Sequence, residues 1–311
     1  MNKILVTGGA GFIGSNLCEF LLSNEKNYVI CLDNLSTGSK SNIDKLLNKK
    51  NFKFIEGDIC EKIKIVVNQI YNLACPASPI QYQKLPLETI NACIDGSRNL
   101  LELAKANNAT ILQSSTSEVY GDPIEHPQNE SYFGNVNING PRSCYDEGKR
   151  IAETIFYNYK NIYNSDIRIA RIFNTYGPNM EKNDGRVISN FIVQALTGKD
   201  ITIYGDGNQS RSFCYIDDMI TGLISLMNSD FKKPVNIGND KEFTILQVAK
   251  TIIELTNSSS KIIFKTFPEN DPFMRKPDLS LAKQQLNFKP SISFSVGLKK
   301  TILYFRNLIG Q

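Results

Sequence analysis

The first half of the chain alternates short apolar runs with longer amphipathic segments. The apolar runs are Ile4–Thr7, Tyr28–Leu32, Phe52–Ile55, Ile70–Ala74, Ala109–Ser114 and Ile167–Phe173. Each run has the length and the continuous hydrophobicity of a buried parallel strand. Between them, Leu87–Ala106 and residues 145–163 have apolar side chains at helical spacing. Strands that alternate with helices predict an α/β fold built on a doubly wound parallel sheet.

The second half of the chain has shorter elements separated by turns. Asn174–Pro178 is predicted to leave the first sheet, and a strand at Val235–Ile237 to return to it. The other predicted elements are Asp184–Gly198, Ile201–Tyr204, Gln209–Tyr215, Asp217–Met227, Thr244–Leu255, Lys261–Lys265, Leu279–Leu286 and Val296–Phe305. Most of these short elements fit a smaller C-terminal α/β lobe.

A glycine-rich turn follows the first predicted strand. Gly8, Gly11 and Gly14 stand between that strand and an amphipathic helix that includes Leu17 and Leu21. Glycines at this point let the backbone turn sharply and approach a pyrophosphate, and the helix start offers free N–H groups to the anion. The spacing is GxxGxxG rather than GxGxxG, but strand, turn and helix in sequence predict a Rossmann-type dinucleotide site.

The second predicted strand ends at Asp33, about 20 residues beyond the glycine turn. A carboxylate there would accept hydrogen bonds from an adenosine ribose. It would also repel a 2′-phosphate, which favours NAD over NADP. Lys40 argues against this preference for NAD over NADP. The alternative interpretation of Asp33 is an aspartate that only forms a turn.

These features predict two domains. Residues 1–173 plus about 212–240 would form the NAD-binding domain. Residues 174–211 plus 241–311 would form a smaller lobe that binds the substrate.

Candidate chemistry follows the fifth strand and begins a helix. Tyr145 and Lys149 lie four residues apart, so a helix presents both side chains on one face. An ammonium beside a phenol lowers a pKa that is about 10 when unperturbed, and such a tyrosine can exchange a proton with a sugar hydroxyl. Ligands of open α/β sheets bind beyond the carboxyl ends of strands, so we expect Thr116, Ser117 and Glu118 over the cofactor.

Composition narrows the class of protein. Hydrophobic residues make up 41% of the chain and charged residues 21%, which is typical of a globular protein. The net charge of +4 is spread along the chain, so we expect no nucleic-acid partner. No apolar run approaches the roughly 20 residues of a membrane helix, and no signal peptide is evident, so we expect a cytoplasmic protein without a membrane partner.

Cysteine and histidine usage argues against several kinds of site. The seven cysteines form no CxxC pair, which favours reduced thiols in the cytosol. Cys144 adjoins Tyr145, but a cysteine nucleophile needs a histidine partner, and the single histidine, His126, precedes a proline in a predicted loop. One histidine also argues against a zinc site and a Ser-His-Asp triad, so we expect no metal.

Together these features resemble the extended short-chain dehydrogenase/reductases, and within them the UDP-glucuronate decarboxylases, also called UDP-xylose synthases. The features shared with the whole superfamily are Thr7–Gly14, Asp33, Tyr145 with Lys149, and Asn174–Pro178. The more specific segments are Ala74–Pro79, Thr116–Asp122, Gly134–Lys149, Arg171–Pro178, Asp184–Asn190, Tyr204–Tyr215 and Arg275–Asp278. The similarity extends over nearly the whole chain.

The resemblance implies a set of site residues. Those implied to bind NAD are Gly8, Gly11, Phe12, Ile13, Gly14, Asp33, Asn34, Ser36, Thr37, Gly38, Asp58, Ile59, Leu73, Lys149 and Arg186. Those implied to bind UDP-glucuronate are Pro79, Asn174, Arg211 and Arg275. Those implied to act in catalysis are Tyr145, Lys149, Thr116, Ser117, Glu118 and Arg275. From the sequence alone an ordinary surface arginine is the favoured interpretation of Arg275, and the resemblance reverses that preference.

The implied reaction oxidises C4 of the sugar, releases carbon dioxide from the resulting 4-keto acid and returns the hydride to C4. It forms UDP-xylose and leaves NAD unchanged, and the resemblance implies a homodimer. A UDP-sugar 4-epimerase remains an alternative, because it shares the C4 oxidation. A 4,6-dehydratase is a weaker alternative, because an Asp-Glu pair is expected after the threonine and Ser117-Glu118 stands there instead. The alternative of another class is a non-catalytic dinucleotide sensor.

Overall fold

The computed structural model of the chain describes residues 1–267 and 273–310. Its strands are β1 (Asn2–Thr7), β2 (Asn27–Asp33), β3 (Phe52–Glu56), β4 (Gln69–Asn72), β5 (Thr110–Thr116), β6 (Ile167–Ile172), β7 (Thr175–Tyr176), β8 (Ile201–Tyr204), β9 (Ser210–Ser212), β10 (Cys214–Tyr215), β11 (Pro234–Ile237), β12 (Glu242–Thr244), β13 (Ile262–Lys265) and β14 (Met274–Arg275). Its α-helices are α1 (Phe12–Leu21), α2 (Pro79–Lys84), α3 (Pro86–Asn91), α4 (Ser97–Asn107), α5 (Ser143–Tyr163), α6 (Val187–Leu196), α7 (Ile216–Met227), α8 (Ile245–Thr256), α9 (Ser280–Leu286) and α10 (Phe294–Ile309).

The main sheet has seven parallel strands in the order β11-β6-β5-β4-β1-β2-β3. The chain fills the sheet outward from β1 to β3, then returns to the other side of β1 and continues from β4 to β11. The order therefore reverses between β1 and β4, and such a reversal opens a crevice at the carboxyl ends of the strands. This topology confirms the predicted fold class, including the return of residues 234–237 to the sheet.

Apolar side chains cover both faces of this sheet. One core packs α1 and α7 against it, with Leu17 and Leu223 fully buried. The other core packs α4 and α5 against it, with Leu100 and Phe156 fully buried. Burial on both faces explains why the strands are continuous apolar runs rather than alternating ones.

The helix predicted at Leu87–Ala106 is interrupted. It consists of α3, one π-helical turn at Ala92–Gly96, and α4. A side chain at Gly96 would collide with Ile59, and Cys93 packs against Gly148 of α5. A π-helical turn adds one residue to the helix, which is a local adjustment that propensity does not reveal.

Three small sheets lie outside the main sheet among the described residues. β8 pairs with β13, β7 pairs with β10, and β9 lies between β12 and β14. The register of β9 and β14 places Arg211 directly beside Arg275. α6 and α8 pack over these strands, and Thr244 and Gln247 form a reciprocal capping box that starts α8. None of the helices that the structure describes combines the length and hydropathy needed to span a bilayer.

Candidate active site

A cavity of about 1000 Å³ lies at the crevice between the main sheet and the second lobe. Its wall contains every residue that the sequence assigned to cofactor, catalysis or substrate. Most of the cofactor assignments fall at the ends of β1, β2, β3 and β4. The catalytic ones fall at the end of β5, at the start of α5 and, for Arg275, in β14. The structure thus brings the whole predicted set into one place, while the individual roles remain predictions.

The glycine turn is shaped by close backbone contacts. Gly8 has a φ of +67°, and a Cβ there would lie 2.7 Å from the carbonyl oxygen of Leu73. A Cβ on Gly14 would collide with the carbonyl oxygen of Gly8. No side chain caps the start of α1 among the described residues, so the first amides of the helix remain available to an anion. The turn therefore fits a pyrophosphate.

Carboxylates close the opposite end of the cofactor region. Asp33 is buried, and its oxygens accept hydrogen bonds from the amides of Ala10 (2.9 Å) and Leu35 (2.8 Å). Burial raises the pKa of Asp33, while those two amides act to lower it. The Asn34 amide donates to Asp58 at 2.9 Å. Each carboxylate oxygen has a second lone pair, so Asp33 and Asp58 can still accept from a ribose or a base.

The predicted tyrosine and lysine lie together in the first turns of α5. Both are buried, with Tyr145 7% and Lys149 4% exposed. The Lys149 ammonium lies 5.7 Å from the centre of the Tyr145 ring and donates to the carbonyl oxygen of Ser114 at 2.9 Å. Burial acts to lower the pKa of Lys149, but the Cys75 thiol and Tyr145 raise it overall, so the lysine stays charged.

The acidity of Tyr145 differs from the sequence expectation. Burial raises its pKa to about 12, although the charge of Lys149 and a hydrogen bond with Thr116 act to lower it. The predicted effect of Lys149 is therefore present but is outweighed by desolvation. A positively charged ring bound beside the phenol would shift the balance towards the tyrosinate.

The ring of a second tyrosine, Tyr82, stacks on the ring of Tyr145. The rings of Tyr82 and Tyr145 stack with centroids 5.0 Å apart and planes at 9°. Tyr82 lies in α2 and is buried, and its hydroxyl has no hydrogen-bond partner among the described residues. Its only signal in the sequence was its place just after Ala74–Pro79, which the resemblance had marked as specific.

Three charged side chains meet beside the tyrosines. Glu118 binds Arg275 through one carboxylate oxygen and Arg142 through the other. Arg211 lies beside Arg275 in the register of β9 and β14, and its positive charge also acts to lower the pKa of Glu118. Burial acts to raise the pKa of Glu118, but Arg275 and Arg142 lower it to about 2. Glu118 is therefore ionised and neutralised by arginines, which resolves the repulsion that a lone glutamate would exert on a substrate carboxylate.

The predicted substrate residues Pro79 and Asn174 and the predicted cofactor residue Arg186 line the same cavity. Pro79 is the first residue of α2, and Asn174 follows β6. Arg186 precedes α6 and pairs with Asp184 at 3.3 Å.

Comparison with known proteins identifies the family. A family model described as GDP-mannose 4,6 dehydratase matches residues 5–301. UDP-glucuronic acid decarboxylase 5 of Arabidopsis thaliana is 52% identical over 308 residues, which cover 99% of this chain and 90% of the relative. The chain belongs to the UDP-glucuronic acid decarboxylases of this family.

Animal members of the UDP-glucuronic acid decarboxylases are also similar. UDP-glucuronic acid decarboxylase 1 of Xenopus tropicalis is 49% identical over 304 residues, or 98% of this chain and 72% of that protein. Among solved structures, UDP-glucuronic acid 4-epimerase from Bacillus cereus, in complex with UDP-glucuronic acid and NAD, superposes with a TM-score of 0.89. That epimerase is 29% identical and covers 98% of this chain and 99% of its own.

Arg142 lines the cavity but was not among the site residues predicted from the sequence. It directly precedes α5, where a helix-start arginine has no signature of its own. Its spacing of four residues from Asp146 predicts an ion pair between them, and the structure shows Nε of Arg142 3.8 Å from the carboxylate. The pairing of Arg142 with Glu118 spans 24 residues and became visible only in the fold.

Proposed function

We propose that the protein is an NAD-dependent UDP-glucuronate decarboxylase, which forms UDP-xylose through a transient UDP-4-keto intermediate. The observation that carries this proposal is the arginine cluster around Glu118, in the same cavity as Tyr145 and Lys149. C4 oxidation needs only the tyrosine and the lysine. A guanidinium pair beside them suits a substrate with a carboxylate next to the reacting carbon.

The residues present fit NAD as the cofactor. The glycine turn can hold a pyrophosphate, and Asp33 can accept from a ribose hydroxyl while disfavouring a 2′-phosphate. NAD supplies the hydride acceptor at C4 when it is bound. Lys149, close to both Ser114 and Tyr145, would hold a ribose hydroxyl and the tyrosinate.

Tyr145 begins the reaction by removing the proton of the C4 hydroxyl as the hydride leaves C4. The 4-keto acid that results can lose carbon dioxide, because the electrons left on C5 delocalise onto the C4 oxygen. Thr116 and the protonated Tyr145 can donate to that oxygen and stabilise the enolate. Arg275 would orient the carboxylate. C5 is then protonated, the hydride returns to C4, and Tyr145 returns its proton to the C4 oxygen.

The deciding experiment combines purified protein, UDP-glucuronate and substoichiometric NAD, and follows both carbon dioxide and the nucleotide sugar. We expect carbon dioxide and UDP-xylose in equal amounts without net NADH. Retention of the carboxyl carbon with formation of UDP-galacturonate would replace the proposal with a 4-epimerase, the activity named for the structural neighbour. Binding of NAD with no conversion would favour a sensor.

We further propose that the enzyme acts as a homodimer. Ile151 and Ile162 lie three turns apart on one exposed line of α5, and Leu87 of α3 is exposed as well. An apolar line on a long surface helix suits pairing with the same helix of a second copy.

We propose a cytoplasmic location because all seven cysteines are free thiols, which is the state that a reducing compartment maintains. The two-domain division given above stays part of this proposal.

A further inference from the structure

A buried carboxyl group lies beside the catalytic tyrosine without an assigned role. Asp146 follows Tyr145 in α5 and is 6% exposed. Its Oδ2 lies 3.8 Å from Nε of Arg142, the arginine that also binds Glu118. Its Oδ1 has no hydrogen-bond partner among the described residues. A buried carboxylate with an unsatisfied oxygen is costly, so this side chain calls for an explanation.

The surroundings of Asp146 favour its neutral form. The charged and titratable groups that face it from the described elements are Glu118 after β5, Arg142 before α5, Arg275 of β14, Tyr82 of α2, and Cys144 and Glu147 of its own helix. Burial and then the charge of Glu118 raise the pKa of Asp146 to about 7, against the effect of Arg142 and Arg275. Because Glu118 and Asp146 share Arg142, they titrate as a pair, and the pair holds one proton below about pH 7.

The proposed reaction needs one proton from outside the substrate. A carboxylate leaves as neutral carbon dioxide, so the C5 enolate must take up a proton. Tyr145 cannot supply it, because the proton that it removes from the C4 hydroxyl is required again at the C4 oxygen. Glu118 cannot supply it unaided, because two arginines keep it ionised.

Resting on the proposed function, we propose that Asp146 is the proton reservoir of the active site and delivers its proton to C5 by way of Glu118. In this transfer a solvent molecule between the two carboxyls takes the proton of Asp146 as it gives one of its own to Glu118, so an O–H bond of Asp146 breaks and an O–H bond forms on Glu118. That bond then breaks as the electron pair of the enolate forms the C5–H bond. Solvent returns one proton to Asp146 before the next turnover. Asp146 acts through Glu118, so it is a positioning residue.

The first test is the pH profile of Asp146→Asn, which keeps the shape of the side chain and removes its proton. We expect kcat to fall about 10- to 100-fold with little change in KM. In the wild type, kcat should fall above about pH 7 as the reservoir empties, and the variant should lack that limb. Asp146→Glu should restore the limb. Glu147→Gln should keep the limb and move it slightly to lower pH, because Glu147 is the smallest of the named charges that raise the pKa of Asp146. A wild-type profile in Asp146→Asn would overturn the proposal.

The second test locates the slowed step. Because C5 protonation follows oxidation, Asp146→Asn should accumulate reduced nicotinamide when UDP-glucuronate is added, seen as absorbance near 340 nm. A drop in kcat without that accumulation would assign Asp146 to the fold or to an earlier step and would end the proposal.

The third test does not depend on turnover. A carboxyl with a folded-state pKa above its ordinary value of 3.8 makes the folded protein lose stability as the pH rises from about 4 to 7. Asp146→Asn should remove that loss in urea unfolding, so that the variant gains on the wild type as pH rises. If this gain is seen but the wild type releases no carbon dioxide, the proposed function is wrong, although Asp146 does hold a proton in the folded protein. If carbon dioxide is released and no gain is seen, the proposed role of Asp146 as proton reservoir is wrong and the proposed function is kept.

Discussion

Desolvation and nearby charges have opposite effects on the pKa of each ionisable residue of the site, and which effect is larger differs between neighbouring residues. Tyr145 and Glu118 are both buried, yet burial prevails at the phenol and the arginines prevail at the carboxylate. The difference follows from distance and number: one ammonium lies 5.7 Å from the ring, whereas two guanidinium groups contact Glu118 directly. The site therefore holds a protonated base and an ionised acid before any ligand binds.

Replacing the base gives the most direct residue-scale prediction. Tyr145→Phe should lower kcat by at least about 10³-fold, because it removes the hydroxyl that takes the C4 proton. NAD affinity should stay within about threefold of the wild type, since the ring and its stacking on Tyr82 remain. The turnover rate is measured by carbon dioxide release, and NAD binding is measured by calorimetry. Turnover near the wild-type rate would remove Tyr145 as the base.

The ion pairs of Glu118 predict an acid-dependent contribution to stability. Its folded-state pKa of about 2 lies below the ordinary 4.5, so the contribution is complete above about pH 4.5 and disappears as the pH falls towards 2. Its size is on the order of 3 kcal/mol. Glu118→Gln should therefore be less stable than the wild type at pH 6, and the difference should shrink by pH 3.

Urea unfolding at the two pH values measures this difference. Glu147→Gln is the control, because Glu147 lies partly exposed on α5 and its Oε1 is 3.4 Å from Nε of Arg150. Equal destabilisation by Glu118→Gln at both pH values would show that the ion pairs do not set the acidity of Glu118.

At the scale of elements, the start of α1 depends on the absence of a side chain. Gly14→Ala should weaken NAD binding by at least about tenfold and destabilise the fold, because its methyl group collides with the carbonyl of Gly8 and displaces the turn. Calorimetric titration with NAD gives the affinity. Gly198→Ala is the control: its φ of +69° is also unfavourable to alanine, but no atom lies within 4 Å of the added Cβ. Gly198→Ala should cost about 1 kcal/mol and leave NAD affinity unchanged, and a loss of affinity in both variants would refute the specific role of Gly14.

At the scale of the whole molecule, the proposed dimer makes a prediction of its own. Size-exclusion chromatography with light scattering should give twice the mass of the 34.9 kDa chain at micromolar concentration. Ile162→Glu, at a side chain that is 68% exposed on α5, should shift the protein to a monomer without unfolding it. Leu303→Glu, at a side chain 60% exposed on α10, should leave the dimer intact. A monomeric wild type would refute the dimer.

The sequence by itself determined what depends on neighbours along the chain. The strands of the main sheet, the turn at Gly8–Gly14, Asp33 at the end of β2, and Tyr145 with Lys149 could all be predicted, because each rests on local periodicity or on a short spacing. Helix ends and the interruption at Ala92–Gly96 could not, since packing against Ile59 decides them.

Only the tertiary structure decided how charges meet and how deeply they are buried. Arg275 reaches Glu118 across 157 residues of sequence, and the strand register that sets Arg211 beside it has no signal in either segment. The acidities of Tyr145 and Asp146 likewise follow from burial, which no spacing reports. Local geometry is encoded in consecutive residues, whereas electrostatic free energy depends on distances and solvent exclusion that exist only after folding.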